Sequence, residues 1–218
     1  MSTFPGSPRL LKGGIVLIDP QTSAVQRVIT LQYNPDSVTR SLQVQGSGDG
    51  GDHSEALRLK GPPVETIKLE AELDLTDQLE FPGQNSIAPQ LGLQPQLAAL
   101  ETIIYPLASR LMANNALAQS GVLEITPMES PLTLLVWSVS RVLPVRLTEF
   151  SITEEAFDVN LNPIRAKVSI GMRVLSVTDL GFAHKGGNLY MVSHQQKERF
   201  AAMSQTGTLG ALGLRSIP

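Results

Sequence analysis

The chain has 218 residues, of which 42% are apolar, a formal net charge of −3 and no cysteine. This composition suits one large globular domain with a real core, and it offers no basic surplus for binding nucleic acid or an anionic membrane. The lack of cysteine excludes disulfides, thiolate metal sites and cysteine nucleophiles. No apolar run approaches the ~20 residues of a membrane helix and no signal sequence precedes residue 12, so we expect a soluble product assembled in the cytoplasm.

Short strands and tight turns are predicted for the first part of the chain. Apolar runs predict strands over 14–19, 25–33 and 38–44. A turn at 33–36 separates the second strand from the third, because a residue before proline avoids the helical region. The glycine-rich residues 45–53 are predicted to form a flexible surface loop.

The most regular strand pattern lies over residues 64–75. Apolar Ile67, Leu69, Ala71, Leu73 and Leu75 alternate there with charged Lys68, Glu70, Glu72 and Asp74. Successive side chains of a strand point to opposite faces, so one face is predicted to join the core and the other to form a row of charges. We expect that row to face water, a pore or a neighbouring subunit.

A helical pattern replaces the strands in the middle of the chain. Five apolar residues recur at spacings of three and four, as on one face of a helix. They are Leu97, Leu100, Ile104, Leu107 and Leu111. Pro106 lies inside this stripe and is predicted to kink or divide the helix. We therefore expect a helical insertion near residues 95–115.

The second half of the chain returns to strands, over 132–140, 145–157 and 164–177. An asparagine-rich turn separates the last two, because Asn160 and Asn162 tolerate left-handed backbone angles and Pro163 fixes the entry to the returning strand. In that returning strand, charged Arg165, Lys167 and Arg173 alternate with apolar residues. The pattern predicts one buried face and one wet or partnered face.

The order of elements predicts a mainly β, α+β fold. We expect an antiparallel β barrel or sandwich over 12–183 with one inserted helix, preceded by an N-terminal arm over 1–11. A C-terminal extension over 184–218 follows, with a predicted helix at 189–203 and a glycine-rich end. Residues 189–218 of this extension are expected to become ordered only when bound to a partner.

The sequence contains no catalytic or cofactor-binding pattern. The glycine-rich loop lacks the Lys-Ser/Thr pair of a P-loop, and the histidines do not have zinc-ligand spacing. Adjacent Glu154 and Glu155 on a strand point to opposite faces, which argues against a pair of acid-base carboxylates. Trp137 lies in an apolar run and is predicted to join the core. We therefore predict no enzymatic activity, no cofactor and no metal.

Together, these features resemble the tube protein family of contractile injection systems, the phage-tail-like particles of bacteria. The similarity is greatest to the tube-initiator and baseplate-hub members. Two of the features lie in the first half of the chain: Tyr33-Asn34-Pro35 with Ser37, and the alternating strand 67–73. The other two lie in the second half: the segment from Trp137 through 142–150, and Ile164-Arg165-Ala166-Lys167-Val168, which follows an aromatic strand end and a proline turn. They cover about residues 12–180, with Asn162 where many relatives have glycine.

The resemblance implies a tail-tube β domain with a long hairpin, assembled as a homo-hexameric ring. The implied role is structural: a ring of the inner baseplate that links the spike to the inner tube. The implied partners are the inner tube protein, the spike protein and the baseplate wedge, with the sheath as a further candidate. Nucleic acid and membrane insertion are not expected. The resemblance also implies that the particle is assembled in the bacterial cytoplasm and is then either retained in the cell or released. Some initiators carry a peptidoglycan-binding LysM module, but the C-terminal extension of this chain is too short for one.

The residues expected to serve this role lie at a subunit interface or line the lumen. They are Lys68, Glu70, Glu72 and Asp74 on one strand and Arg165, Lys167 and Arg173 on another. Opposite charges are expected to pair across subunits, each exposed pair contributing about 0–1 kcal/mol. Two alternatives stay open: the main inner-tube subunit, and a β-sandwich module that binds carbohydrate or cell wall. The second alternative needs exposed aromatic side chains, and only 5% of residues are aromatic.

Overall fold

The structure is a computed structural model that describes residues 11–46, 58–120, 130–204 and 207–217. The predicted N-terminal arm, apart from Leu11, and the glycine-rich loop beyond Gly46 lie outside these residues. Among the described residues are seven strands: β1 Gly14–Ile18, β2 Val25–Thr30, β3 Val38–Gln43, β4 Val64–Asp74, β5 Leu132–Ser138, β6 Arg141–Phe157 and β7 Pro163–Val174. They form one antiparallel sheet in the order β2-β1-β5-β6-β7-β4-β3, which confirms the mainly β prediction.

Helices occupy the region between β4 and β5 and the region after β7. The first group is α1 Thr76–Glu80, α2 Ala88–Leu91, α3 Gln94–Glu101 and α4 Ala108–Gln119. The second group is α5 Val177–Leu180 and α6 Lys185–Met203, followed by a 3-10 turn at Leu209–Leu212. The described residues between β4 and β5 thus contain four helices where the sequence predicted one. As predicted, Pro106 lies at a break, between α3 and α4, because proline supplies no backbone N–H for the helix ladder.

The sheet curls back on itself at one corner. Gln32, just past β2, donates its side-chain amide to the carbonyl of Asp74 (2.6 Å) and accepts from the N–H of Asp74 (2.9 Å). Asp74 ends β4, on the far side of the sheet from β2. Asn34 repeats the arrangement, accepting from the N–H of Gly13 (2.9 Å) and donating to the carbonyl of Leu11 (2.8 Å). The segment that carries the Asn-Pro landmark therefore brings the two sides of the sheet together through Gln32, while Asn34 fixes the same segment against the start of β1.

The core lies on the inner face of this curled sheet, beneath the inserted helices. The alternation predicted for β4 and β7 is confirmed, because most of their apolar residues are buried in one cluster and all of their charged residues except Glu65 are exposed or partly exposed. Leu93, Leu97 and Leu100 join the same cluster from the start of α3 and from α3 itself. Trp137 also packs against the cluster, as predicted.

The turn of the β6–β7 hairpin differs from its prediction in one respect. The left-handed residue is Leu161 (φ 63°), and neither asparagine adopts a positive φ. The carboxylate of Asp158 accepts from the backbone N–H groups of Asn160 (2.7 Å) and Asn162 (2.8 Å) and from the Asn162 side chain (2.9 Å). These hydrogen bonds, the Asn162 side chain first, lower the pKa of Asp158. The turn is therefore held by one aspartate, with the asparagines as donors.

Helix α6, the first part of the predicted extension, packs on its own domain. Its buried residues include Gly186, Gly187 and Tyr190. A Cβ on Gly187 would lie 1.9 Å from the carbonyl oxygen of Gly181, so only glycine fits at this crossing. The helix is thus formed and seated without a neighbouring subunit, which differs from the expected ordering on binding.

Candidate assembly surfaces

All seven predicted interface residues lie on the outer face of β4 and β7. The register pairs Glu72 with Lys167 and Asp74 with Arg165 across the two strands. Strand β6 adds Glu149 opposite Gly171 and Glu155 opposite Arg165. We call this surface the charged face: Lys68, Glu70, Glu72, Asp74, Glu149, Glu155, Arg165, Lys167 and Arg173.

Most of these charges are paired within the chain. Arg165 contacts Asp74 at 3.0 Å, Lys68 contacts Glu149 at 2.6 Å, and Lys167 lies 3.7 Å from Glu155; Arg173 contacts Asp179 at 2.7 Å. In the described part of the chain, Glu70 and Glu72 have no ion-pair partner closer than 4.0 Å. Arg146 of β6, exposed and opposite Arg173 in the register, also has no ion pair among the described residues. The unpaired charges on this side of the sheet are therefore two carboxylates and one guanidinium, a net acidic balance.

Asp74 connects the charged face to the corner of the barrel. Its side chain accepts from the backbone N–H of Thr76 (2.8 Å) and from the guanidinium of Arg165 (3.0 Å). Partial burial opposes ionisation, but hydrogen bonds from Thr76 and Arg165 outweigh it and lower the pKa of Asp74. A cleft of about 360 Å³ beside it is lined by Tyr33, Glu72, Arg165 and Lys167 among others. This cleft contains charged pairs and one aromatic ring, and its lining has no serine, threonine, cysteine or histidine.

The two ends of the sheet are open. In the described residues, β2 and β3 each pair with one strand only. Both edges expose apolar side chains: Val25 and Val28 on β2, and Leu42 with the adjoining Val44 on β3. An exposed edge carries unpaired backbone donors and acceptors and is a template for pairing with another chain.

A buried carboxylate joins the edge strand β3 to helix α6, and the sequence reasoning missed it. Glu65 is 3% exposed and accepts from Arg40 of β3 (2.8 Å) and Lys197 of α6 (3.0 Å). Burial raises the pKa of this carboxyl, but the hydrogen bonds from Arg40 and Lys197 outweigh burial and lower it. A signal was present, because Glu65 falls on the same side of β4 as Ile67 and Leu69, where the alternation requires an apolar residue.

Other kinds of site have little support in the described residues. No group of three or more histidine, aspartate and glutamate side chains within them is arranged to hold a metal ion. None of the helices formed there is long and apolar enough to cross a membrane. His184 caps α6, with its Nδ1 accepting from the N–H of Gly186 (3.1 Å), and His194 stacks on Tyr190.

No family model and no curated protein matches the chain. Among solved structures, the chain is similar to the tail of an empty gene transfer agent particle, determined by helical refinement with C6 symmetry. The match covers 75% of this chain and 90% of that chain, with 11% sequence identity and a TM-score of 0.28.

Proposed function

We propose that the chain is a non-enzymatic structural subunit of a contractile injection system. It forms a homo-hexameric ring in the inner baseplate, links the spike to the inner tube and templates the first tube ring. No cofactor, metal or catalytic residue takes part. The observation that supports this proposal most is that, among the described residues, the two end strands of the sheet each pair on one side only and expose apolar side chains, Val25 and Val28 on β2 and Leu42 on β3.

A ring explains why two unprotected edges persist in one chain. Soluble proteins that stay monomeric protect sheet edges with charge, proline or covering elements. Here β2 and β3 are different surfaces, so pairing of one with the other on the next copy is a head-to-tail contact. Such contacts generate closed rings when the rotation between copies closes. Neither edge is then left exposed.

The charged face supports a second contact of the ring. Its cations are held by carboxylates of the same chain, which leaves Glu70 and Glu72 as the residues we assign to a neighbour or to the lumen. A basic group on a partner subunit would complement them. The sequence predicted pairing across subunits for all seven charged residues, and the proposal now assigns it to Glu70 and Glu72.

One observation favours the carbohydrate-binding alternative. Tyr33 is half-exposed and lines the 360 Å³ cleft beside charged side chains. A glycan-binding site combines aromatic side chains, on which the sugar ring stacks, with polar groups that hydrogen-bond its hydroxyls. This cleft supplies the polar groups but only one aromatic ring. Binding of cell-wall fragments that is lost in Tyr33→Ala would favour this function, and the same variant should leave ring formation unaffected.

Cryo-electron microscopy of particles from the native host, beside the purified chain, tests the proposal. We expect a single sixfold ring at the junction of spike and tube. Stacked rings along the whole tube would identify the main tube subunit instead. A stable monomer that is absent from every particle would contradict both assembly roles.

A further inference from the structure

Helix α4 and the residues before it expose an apolar surface that the described residues leave uncovered. The surface consists of Ile104, Tyr105, Leu107, Leu111 and Met112, and we call it the α4 surface. The helix has 12 residues, none of them buried. Isolated helices of about 12–15 residues are marginal in water and depend on packing of an apolar face. A partner for this surface is therefore expected.

The chain carries a second uncovered apolar surface at the end of the β6–β7 hairpin. Val159 is 98% exposed, and Phe157 and Leu161 on either side are also exposed. We call these three residues the tip surface. Hydrogen bonds hold the tip rigidly, because Asp158 organises the turn and the Asn162 side chain donates to the carbonyl of Gln90 in α2 (3.2 Å). A rigid apolar protrusion loses little conformational freedom on binding.

The charges around the two surfaces are opposite. Residues 154–162 contain Glu154, Glu155 and Asp158 and no basic residue. Residues 102–119 contain one charged residue, Arg110, which has no ion pair in the described part of the chain. The apolar C-terminal stretch 207–217 is a poorer fit to the α4 surface, because its only charge is the like-signed Arg215.

We propose that the tip surface of one copy docks on the α4 surface of a second copy. The contact rests on the proposed function, since it takes the partner to be another copy of the chain. It is distinct from edge-to-edge strand pairing and joins two different surfaces. A bound pair therefore keeps one free tip surface on one copy and one free α4 surface on the other, and the contact propagates or closes a ring.

The absence of cysteine makes a direct test simple. The single variants Val159→Cys and Met112→Cys change exposed positions and should fold as the parent does, which circular dichroism checks. The two variants are mixed and mildly oxidised, and disulfide-linked dimers are measured on a non-reducing gel. Val139→Cys is the matched control, because Val139 is also a turn valine and is 93% exposed, but lies in the β5–β6 connection.

We expect the mixture of Val159→Cys and Met112→Cys to give heterodimers, and each variant alone to give few. Val139→Cys with Met112→Cys should give only the background yield. Arg110→Glu in the Met112→Cys chain should reduce the heterodimer yield, and Glu154→Lys in the Val159→Cys chain should restore it. A yield no higher than the Val139→Cys control, or dimers of Val159→Cys with itself, would overturn the inference.

Electron microscopy of the same samples separates this inference from the proposed function. Rings that form without the Val159–Met112 cross-link would overturn the inference and leave the function standing. A parent protein that stays monomeric at every concentration would overturn the function, and the inference with it.

Discussion

The two halves of one apolar stripe have opposite environments. Leu97 and Leu100 in α3 are buried against the sheet, whereas Leu107 and Leu111, beyond Pro106, are exposed. The two leucines are three residues apart in the first half and four apart in the second, and both spacings place them on one face of a helix. A periodic apolar stripe thus shows that a helix face needs a partner, but not whether the partner belongs to the same chain. In this protein the first half completes the core and the second half is available to another copy.

The largest expected effect comes from comparing the two halves directly. Leu97 is 1% exposed and Leu111 is 49% exposed, so Leu97→Ala should lower the free energy of unfolding by about 2–5 kcal/mol. Leu111→Ala should change it by less than about 0.5 kcal/mol in dilute monomer. Urea unfolding measures both values. Equal losses would mean that α4 is packed within its own chain.

A smaller effect is expected at the crossing of α5 and α6. Gly187→Ala places a methyl group against the Gly181 carbonyl and should cost about 1–3 kcal/mol through a shift of α6. Gly210→Ala, whose nearest atom lies at 3.7 Å, is the control and should be nearly neutral. Limited proteolysis should then cut α6 faster in Gly187→Ala alone. Unchanged proteolysis would show that α6 is not held at this crossing.

The buried carboxylate should show a loss of similar or lower size. Glu65→Ala leaves Arg40 and Lys197 without their acceptor and should cost about 1–3 kcal/mol. Glu70→Ala, on the exposed side of the same strand, should cost less than about 0.5 kcal/mol. Both are measured by urea unfolding at neutral pH. A neutral Glu65→Ala would show that the helix is held by its apolar contacts alone.

The smallest effect is the dependence of stability on pH. The folded pKa values of Glu65, Asp74 and Asp158 are lowered, so their contribution is present above the unfolded pKa values, near 4. It is lost as pH falls through the lower folded values. The free energy of unfolding should therefore fall between about pH 5 and pH 2, and less so in Glu65→Gln. If the free energy of unfolding falls equally with pH in Glu65→Gln and in the parent, the Glu65 carboxyl does not contribute to the pH dependence of stability.

The strand pattern predicted most of the sheet, because alternation reports directly which face is buried. The hydrogen bonds that hold the turns were harder to predict from the sequence. The turn was assigned to Asn160 and Asn162, whereas Asp158 accepts the bonds and Leu161 takes the left-handed angle. Residue preferences describe single positions, but the turn is set by several bonds to one carboxylate.

The sequence predicted which face of the strands carries the seven charged residues, but not which of these residues form ion pairs with one another. The seven charged residues do share one face, as their parity on β4 and β7 requires. Their partners depend on β6, which adds Glu149 and Glu155 through a register that includes a bulge between Leu147 and Glu149. A bulge shifts every later pair along a strand and has no clear signal in one sequence.

The central claim is that surfaces left open in one chain are covered by further copies. Hydrogen exchange followed by mass spectrometry, on dilute and concentrated protein, tests it most directly. The account predicts added protection at the edges β2 and β3 and along α4 as the copies assemble, with little change in β7, which is already paired on both sides. Electron microscopy first establishes that the protein is assembled only when concentrated. Equal protection of β2, β3 and α4 at both concentrations would then contradict the claim.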